Sequence, residues 1–357
     1  MKKILKKILP QQFILQLKST AIAFESKVFP LFASNGFFAS FYYCFFSTKF
    51  YREHKAVLQG RVQYEKSLTE IKRSSILLRR NTHRLEKGLI MEPQKPVFAE
   101  AYIEETIDCY EKCLKAETIC QDELKWAQDV LEKYFSIVGS SEVIDKTKEQ
   151  FLNLPLLQEN ERSDEQFLPY EYSQRTVSSI SQDELHNLFK QRRSIRWYET
   201  KEVELHLIEK AVEMASQAPS ACNRQPFEFY TITDSDKATK IAKIAGGTTG
   251  FAENIPALIA IIGDLSSYPK ERDRHLVYID GGLAAMQLML AFESLGLSTC
   301  PINFPDIESA ERKLAEQLEL SPYHRPVMLL SVGYGKAAGK IPYSQKKSAK
   351  QLIKEIQ

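Results

Sequence analysis

The chain has 357 residues, which at roughly 150 residues per domain predicts two domains. Its 48 Lys and Arg residues nearly balance its 46 Asp and Glu residues, for a net charge of +2, and 43% of its residues are hydrophobic. These values are typical of a folded soluble protein and disfavour a strongly basic nucleic-acid-binding protein or a charged disordered chain. Six cysteines are too sparse for a disulfide scaffold.

An aromatic-rich segment occupies residues 1–50. The chain opens with Lys2, Lys3, Lys6 and Lys7, and no charged residue occurs between Lys27 and Lys49. Residues 28–48 are rich in Phe and Tyr, but one proline, one glycine and three serines among them interrupt a membrane-spanning helix. A buried core or a dimer contact is therefore favoured, with interfacial membrane contact and a true span as alternatives. No signal-peptide cleavage site is evident, so a cytoplasmic location is expected, membrane-peripheral if this segment touches lipid.

The composition changes twice along the rest of the chain. Residues 51–150 are charged, poor in glycine and proline, and carry apolar residues at helical spacing, which predicts an all-helical domain. Residues 151–179 lose this periodicity and include the polar run Glu159–Glu165, which predicts a linker. The remaining residues, 180–357, form the second large domain.

Helices and strands alternate in this second domain. Ser181 and Glu184 have the spacing of a capping box, so a helix begins there and runs into Arg192. Apolar spacing predicts a second helix that ends by Pro219. Strands are predicted at Phe227–Thr233, Pro256–Gly263, Leu297–Ile302 and Val327–Gly333, and a long apolar helix at Tyr278–Leu295. The pattern is that of an α+β domain.

Three arginines surround a serine at the end of the first of these helices. Arg192, Arg193 and Arg196 flank Ser194, which brings at least two guanidinium groups and a hydroxyl together. This set suits a phosphate monoester with neighbouring carbonyl groups. The alternative is a solvated basic helix end.

A second polar motif, Pro-Ser-Ala-Cys-Asn-Arg-Gln-Pro, spans Pro219–Pro226. The carboxamides of Asn223 and Gln225 can donate and accept hydrogen bonds along the edge of a ring. The alternative is a proline-rich turn that ends the helix. Cys222 lies within the motif, but no nearby His or Asp has the spacing of a catalytic relay, so a nucleophilic role is not expected.

Together with Gly281-Gly282 and the run Gly296–Pro301, the two motifs resemble, in order and spacing, the nitroreductase family of FMN-dependent oxidoreductases. The resemblance covers the chain from Ser181 to the C-terminus. It implies a central mixed β-sheet flanked by helices, FMN as cofactor and NAD(P)H as transient reductant. It also implies a homodimer with flavin at the interface.

The resemblance implies roles for individual residues of the first two motifs. Arg192, Arg193, Ser194 and Arg196 would bind the flavin phosphate, ribityl chain and pyrimidine carbonyls. Arg196 would also stabilise the negative charge of reduced flavin. Five residues of the second motif would line the flavin, namely Pro219, Ser220, Ala221, Asn223 and Gln225.

The third segment departs from the family pattern. Pro301, Ile302 and Asn303 would present backbone near flavin N5, but Asn303 and Phe304 replace the Glu-Gly pair of the family. Phe304 would narrow the substrate pocket. In the tail, Lys346 is the nearest match to a basic residue that grips phosphate, with a solvated tail as the alternative.

Other chemistries find little support in the sequence. Neither a phosphate-binding P-loop nor a G-x-G-x-x-G motif occurs, so a Rossmann dinucleotide domain is not expected. Cys109, Cys113 and Cys120 lack a fourth ligand, so no metal site is expected. The polar run Arg79–Leu89 predicts a helix with a glycine stop. It is either a solvated helix end or a helix whose His83 and Arg84 reach the active site and help define the substrate.

These observations predict an FMN-dependent oxidoreductase that uses NAD(P)H by ping-pong hydride transfer through flavin N5 to a nitroaromatic, quinone or similar acceptor. The protein would supply position and charge, with no catalytic side chain required. One alternative is a flavin-dependent dehydrogenase or reductase dedicated to a single biosynthetic intermediate. Another is a non-catalytic flavin-binding or membrane-associated assembly protein.

Overall fold

A computed structural model describes residues 27–155 and 165–356, together with residues 16, 20 and 157. The predicted basic start at Lys2, Lys3, Lys6 and Lys7 lies outside the described residues, as do residues 156 and 158–164 of the predicted linker. The chain divides into two compact units, Met1–Lys55 and Ala56–Gln357.

In the first unit, the described aromatic side chains are largely exposed. Helix α1, Gly36–Phe45, begins where the side chain of Asn35 accepts a hydrogen bond from the Phe38 amide at 3.0 Å. None of its residues is buried, and Phe37 is 74% exposed. The rings of Phe41 and Phe45 lie 4.6 Å apart and shield each other only in part. Burial in the core of this chain therefore does not explain the segment, whereas a dimer contact or a membrane contact would.

The region predicted to be helical contains five helices and, over the described residues 51–155, no strand. The helices are α2 Tyr51–Ser67, α3 Ile76–Leu89, α4 Ile103–Leu114, α5 Gln121–Ile137 and α6 Glu142–Leu152. The last four share a hydrophobic core in which Leu85, Ile107 and Leu131 are fully buried. The helical region thus has its own core within the second unit.

Helix α3 differs from its sequence prediction at Gly88. The helix begins at Ser75, whose hydroxyl accepts a hydrogen bond from the Leu78 amide at 3.3 Å, and it continues through Leu89. The predicted helix is therefore present, and it ends one residue after the predicted glycine stop. A Cβ atom at Gly88 would overlap the ring of Phe98, so glycine at this position allows that ring to pack directly on the helix.

The described part of the predicted linker is attached to α5. The Lys125 ammonium lies 2.5 Å from the Asp129 carboxylate, and both side chains are buried. Lys125 also donates to the Glu165 carbonyl, and the Asp129 carboxylate accepts from the Phe167 amide at 2.8 Å. A buried ion pair thus fixes the returning chain against the helices.

A four-stranded sheet forms the centre of the remaining chain, as expected for an α+β fold. Its strands are β1 Phe227–Ile232, β2 Ala257–Asp264, β3 Ser298–Asn303 and β4 His324–Gly333, in the order β1-β2-β4-β3. All neighbouring pairs are antiparallel. Among the described residues, parallel pairing occurs at one isolated bridge, between Ser194 and Thr299.

Helices cover both faces of this sheet. They are α7 Gln182–Gln191, α8 Leu205–Ala215, α9 Ser235–Ala245, α10 Leu276–Ser294 and α11 Glu308–Leu318, and a short α12, Ala349–Leu352, lies in the tail. Ile259 and Ile261 of β2 pack with α10, whereas Leu258 and Ile262 face the core that includes α11. This alternation follows from the two-residue repeat of a strand.

Helix α10 belongs to this core. The helical stretch Glu271–Ser294 is the one candidate among the described residues that is long and apolar enough to cross a membrane, and half of it is buried inside the fold. Leu288 and Phe292 are completely buried against the sheet. Packing therefore accounts for its apolar character.

Candidate functional site

The first predicted motif lies against the start of β3. Helix α7 ends at Gln191, and the chain that follows forms the parallel bridge from Ser194 to Thr299. In addition, the Ile195 amide donates a hydrogen bond to the Thr299 carbonyl at 2.9 Å. These contacts fix the backbone of the motif beside Cys300. The motif is thus anchored to the sheet rather than left as a free helix end.

Two of the three arginines of this motif, together with its serine, interact with Cys300. Burial raises the pKa of the Cys300 thiol, while the charge of Arg196, a hydrogen bond with Ser194 and the charge of Arg192 oppose that rise. The buried Nε of Arg192 has no hydrogen-bond partner in the described structure. Arg193, by contrast, donates to the Arg192 carbonyl at 3.0 Å and turns back toward its own helix.

The second motif forms a strained loop between α8 and β1. Cys222, Asn223 and Gln225 have φ values of 55°, 52° and 48°, in the left-handed region that non-glycine residues seldom adopt. Each such residue costs on the order of 1–3 kcal/mol, so the surrounding structure must hold the loop in place.

Polar contacts within the sheet domain hold this loop. The Asp280 carboxylate of α10 accepts a hydrogen bond from the Ala221 amide at 3.0 Å, and the Ser220 hydroxyl accepts from the Gln225 amide at 2.9 Å. The Gln225 carboxamide donates to the Ser216 carbonyl at 2.8 Å. Asp280 was not predicted, although it is the only acidic residue of α10 before Glu293, and a lone acid in an apolar helix is a usable signal.

An arginine from the helical region also holds the loop. Arg79 of α3 donates through Nε to the Asn223 carbonyl at 3.1 Å and through Nη2 to the Gln225 side-chain oxygen at 3.0 Å. Its Nη1 pairs with the buried carboxylate of Glu123 at 3.2 Å. Arg79 was not predicted as a site residue, although it opens the polar run that includes His83 and Arg84.

A buried cation lies beside the same loop. Arg224 is 8% exposed, its Nε has no hydrogen-bond partner in the described structure, and its guanidinium lies 4.9 Å from the centre of the Tyr268 ring. The Tyr268 hydroxyl donates to Asp280 at 3.2 Å. Burial raises the pKa of Asp280, and the hydrogen bonds from Ala221 and Tyr268 and the charge of Arg224 oppose this.

The predicted positions on β3 have different environments. Pro301 is half-buried, Ile302 is buried, and Asn303 is exposed. Phe304 is 7% exposed and packs in the hydrophobic core with Ile302 and Leu314. This placement gives Phe304 a packing role in the core rather than the predicted role of narrowing the substrate pocket. Lys346 is exposed in the tail.

His83 and Arg84 point to different neighbours of α3. His83 Nδ1 lies 3.2 Å from the Glu86 carboxylate, which also accepts from the Trp126 indole at 3.0 Å. The Arg84 guanidinium lies 3.5 Å from the centre of the Tyr102 ring. Burial and the nearby charge of Arg80 lower the pKa of Arg84, and Cys222 of the strained loop acts on it in the opposite direction.

The groups brought together fit a phosphate-bearing ring ligand. Arg192 offers a buried N–H without a partner, and the Asn223 carboxamide makes no hydrogen bond with the described residues, so both are available to a ligand. Guanidinium and carboxamide groups match the phosphate and carbonyl groups of FMN. The described residues contain no grouping of His, Cys, Asp and Glu suited to a metal ion.

Comparison with known proteins places these residues in a family. The nitroreductase family model matches residues 189–249 and 244–334. A protein of Archaeoglobus fulgidus named as a putative NADH dehydrogenase/NAD(P)H nitroreductase is 30% identical over 148 residues, which covers 41% of this chain and 82% of that protein. The Bacillus subtilis (strain 168) protein named FMN reductase (NAD(P)H) is 29% identical over 157 residues, covering 40% and 62% respectively.

Solved structures include similar chains. An FMN-dependent nitroreductase from Clostridium difficile R20291 is 27% identical, with a TM-score of 0.38, and the match covers 44% of this chain and 91% of that one. The family match begins at residue 189, after the helical region that contributes Arg79. Motifs, family model and relatives agree, and the chain belongs to the nitroreductase family.

Proposed function

We propose that this FMN-dependent NAD(P)H oxidoreductase follows ping-pong kinetics. NAD(P)H binds, is oxidised and leaves before an organic acceptor, such as a nitroaromatic or a quinone, takes its place. Bound FMN would supply the reversible two-electron chemistry that both half-reactions need. The observation that carries the proposal is the convergence of Arg192, Ser194 and Arg196 at Cys300, with a buried guanidinium N–H left free for a ligand.

The residues of the chain would supply position and charge. Arg192 and Arg196 would bind the phosphate and balance the negative charge that accompanies reduction. Asn223 would donate or accept at the ring edge, from a loop that Asp280 and Arg79 hold rigid. A preorganised loop loses little entropy when it binds a ligand, which favours tight cofactor binding.

We propose that two copies of the chain associate to complete the site. Ile279, Leu283 and Met286 of α10 follow one another at helical spacing and are 55%, 44% and 38% exposed. An exposed apolar stripe on a core helix is typical of an interface between subunits. This stripe begins next to Asp280, so a partner seated on it would lie close to the strained loop.

We also propose a cytoplasmic location with peripheral membrane contact through residues 28–48. The segment has no charged residue, and Phe37 and Phe45 are 74% and 68% exposed. Aromatic side chains of this kind favour the membrane interface. Flotation of the full-length chain with anionic lipid vesicles tests this. The double substitution F37S/F45S should abolish flotation, whereas unchanged flotation would favour another contact.

A second candidate is a reductase dedicated to one acceptor. It is favoured by the helical region, which lies outside the family match and holds the strained loop through Arg79. Steady-state rates with a panel of nitroaromatics, quinones and enones distinguish the two. Parallel double-reciprocal lines and reduction of several acceptors support the first proposal. Negligible rates with the whole panel, despite reduction of bound FMN by NAD(P)H, support the second.

A further inference from the structure

A cavity of about 250 Å³ opens between the end of α3 and the segment that leads into α4. Three cationic side chains line it, those of Arg84, Lys87 and Lys95, and no acidic residue does. Its apolar wall is formed by Met91, Phe98 and Tyr102. The cavity therefore combines a concentrated positive charge with a surface that suits a ring or an alkyl group.

The cations of this cavity lack carboxylate partners. Arg84 donates to the Asn81 carboxamide at 3.3 Å and stacks on Tyr102, and it makes no ion pair within the described residues. Lys87 and Lys95 likewise form no ion pair with any described carboxylate. By contrast, the neighbouring Arg80 lies 3.9 Å from the Glu105 carboxylate. The unpaired charge of Arg84 and Lys87 lies on the face of α3 that borders the cavity, and that of Lys95 lies in the segment after the helix.

The wall of the cavity is built for close packing. Glycine at position 88 lets the Phe98 ring lie on α3, and the adjacent Ala99 adopts a left-handed conformation with φ of 69°. Strained residues of this kind persist where the surrounding structure holds a binding surface in one shape. The aromatic wall is therefore positioned by the fold.

One side of the cavity is formed by α3, the helix that also holds the strained loop. Arg84 of α3 lines the cavity. Arg79, five residues earlier on α3, bonds directly to Asn223 and Gln225. One helix thus joins the cavity to the loop that would line the cofactor.

We propose that this cavity binds the carboxylate of an anionic electron acceptor, with its apolar body against Phe98 and Tyr102. The proposal rests on the oxidoreductase function above and names its substrate class. A carboxylate is favoured because the planar fork of Arg84 can donate two parallel hydrogen bonds to it. Lys87 and Lys95 would add charge without fixing orientation.

The test compares 4-nitrobenzoate with the neutral 4-nitrobenzamide as acceptors for the FMN-loaded, full-length protein. We expect wild type to have the higher kcat/KM for 4-nitrobenzoate. Arg84→Gln should lower that value about tenfold or more, because it removes a charge-assisted hydrogen bond. The rate with 4-nitrobenzamide should change less than about twofold, and Arg84→Lys should retain part of the preference for the acid.

Inhibition by benzoate provides a second readout, because benzoate can bind the cavity but has no nitro group to be reduced. It should inhibit reduction of 4-nitrobenzamide competitively, and Arg84→Gln should raise its inhibition constant about tenfold. Lys72→Gln is the matched control, because Lys72 is exposed on the surface, does not line the cavity and has the same change in charge. This control should leave both acceptors and benzoate unaffected.

The possible results distinguish failure of the carboxylate site from failure of the proposed oxidoreductase function. If 4-nitrobenzamide is reduced, but Arg84→Gln affects both acceptors equally or neither, the carboxylate site is overturned and the oxidoreductase stands. If bound FMN is not reduced by NAD(P)H in wild type, both proposals fail. A selective loss for 4-nitrobenzoate and benzoate supports the carboxylate site.

Discussion

The guanidinium of Arg79 joins two parts of the chain that are far apart in sequence. It bonds to Asn223 and Gln225, 144 and 146 residues away, and pairs with the buried Glu123. Because these bonds hold a strained loop, Arg79 acts as a positioning residue for cofactor binding.

We expect Arg79→Gln to raise the Kd for FMN at least about tenfold, since charge-assisted hydrogen bonds contribute about 1.5–3 kcal/mol each. Fluorescence titration of FMN, well below the unfolding temperature of the variant, measures this. Arg80→Gln is the matched control, because Arg80 is paired only loosely, at 3.9 Å, with Glu105. An equal increase in the Kd for FMN in the two variants would show that Arg79 acts only through the general stability of the protein.

Asp280 links the loop to the pH dependence of stability. Burial raises its pKa in the folded protein above its value in the unfolded chain. The stabilisation linked to this shift is therefore fully present below the unfolded pKa and is lost as pH rises through the folded pKa. We expect urea unfolding from pH 4 to 7 to show wild type losing stability relative to Asp280→Asn as pH rises. A constant difference between them would contradict this.

Residues within one motif were easier to predict than partners across the fold. The spacing of Arg192, Ser194 and Arg196 already indicated a charged cluster, and the structure brings all three to Cys300. The partners of Arg79 and Asp280 could not be assigned, because they lie in other elements and spacing along the chain carries no information about such contacts. The lone acid in an apolar helix marks Asp280 as unusual, but it does not identify the loop that Asp280 holds. Phe304 was assigned to a pocket by position, but its ring faces the core.

Local signals explain why the elements of the sheet domain were predictable. The capping box at Ser181 and Glu184 is present, and α7 begins one residue after Ser181. Strand β2 is an apolar run, and it is buried on both faces. The strand order β1-β2-β4-β3 has no such local signal, because pairing between distant strands depends on how the whole domain packs.

Gly88 provides a test at the level of one helix. Gly88→Ala should lower the free energy of unfolding by about 1–3 kcal/mol, because the new methyl group would displace Phe98. Gly282→Ala is the matched control: it lies inside α10, and a Cβ atom there would meet no atom within 4 Å, so helix propensity should make it neutral or stabilising. Urea titration measures both values. Equal destabilisation of the two variants would contradict the close packing of Phe98.

For the whole molecule, association of two copies is the most direct structural prediction. Replacing Leu283 with glutamate on the exposed stripe of α10 should shift the protein toward monomer and weaken FMN binding together. Light scattering coupled to size-exclusion chromatography measures the first effect. Val177→Glu is the matched control, because Val177 is 75% exposed and lies outside α10. It should change neither the oligomeric state nor FMN binding. A monomeric wild type would overturn the proposal.

The division into two compact units differs from the division that composition suggests. Length predicted two domains, and a change in composition separated the helical region from the sheet. In the structure these two regions belong to one unit, Ala56–Gln357, in which Arg79 connects them. The sequence did not show that the predicted linker is held in place, because the residues that hold it, the buried pair Lys125–Asp129, lie on α5, earlier in the chain.

Binding of FMN by this chain and its reduction by NAD(P)H underlie every role assigned to the residues above. The direct measurement is anaerobic titration of the FMN-loaded protein with NADH and, separately, with NADPH, following flavin absorbance. We expect at least one nicotinamide to bleach the oxidised flavin stoichiometrically, and a nitroaromatic or quinone to restore it. A protein that takes up no FMN, or whose bound FMN stays oxidised with both nicotinamides, would contradict the oxidoreductase function.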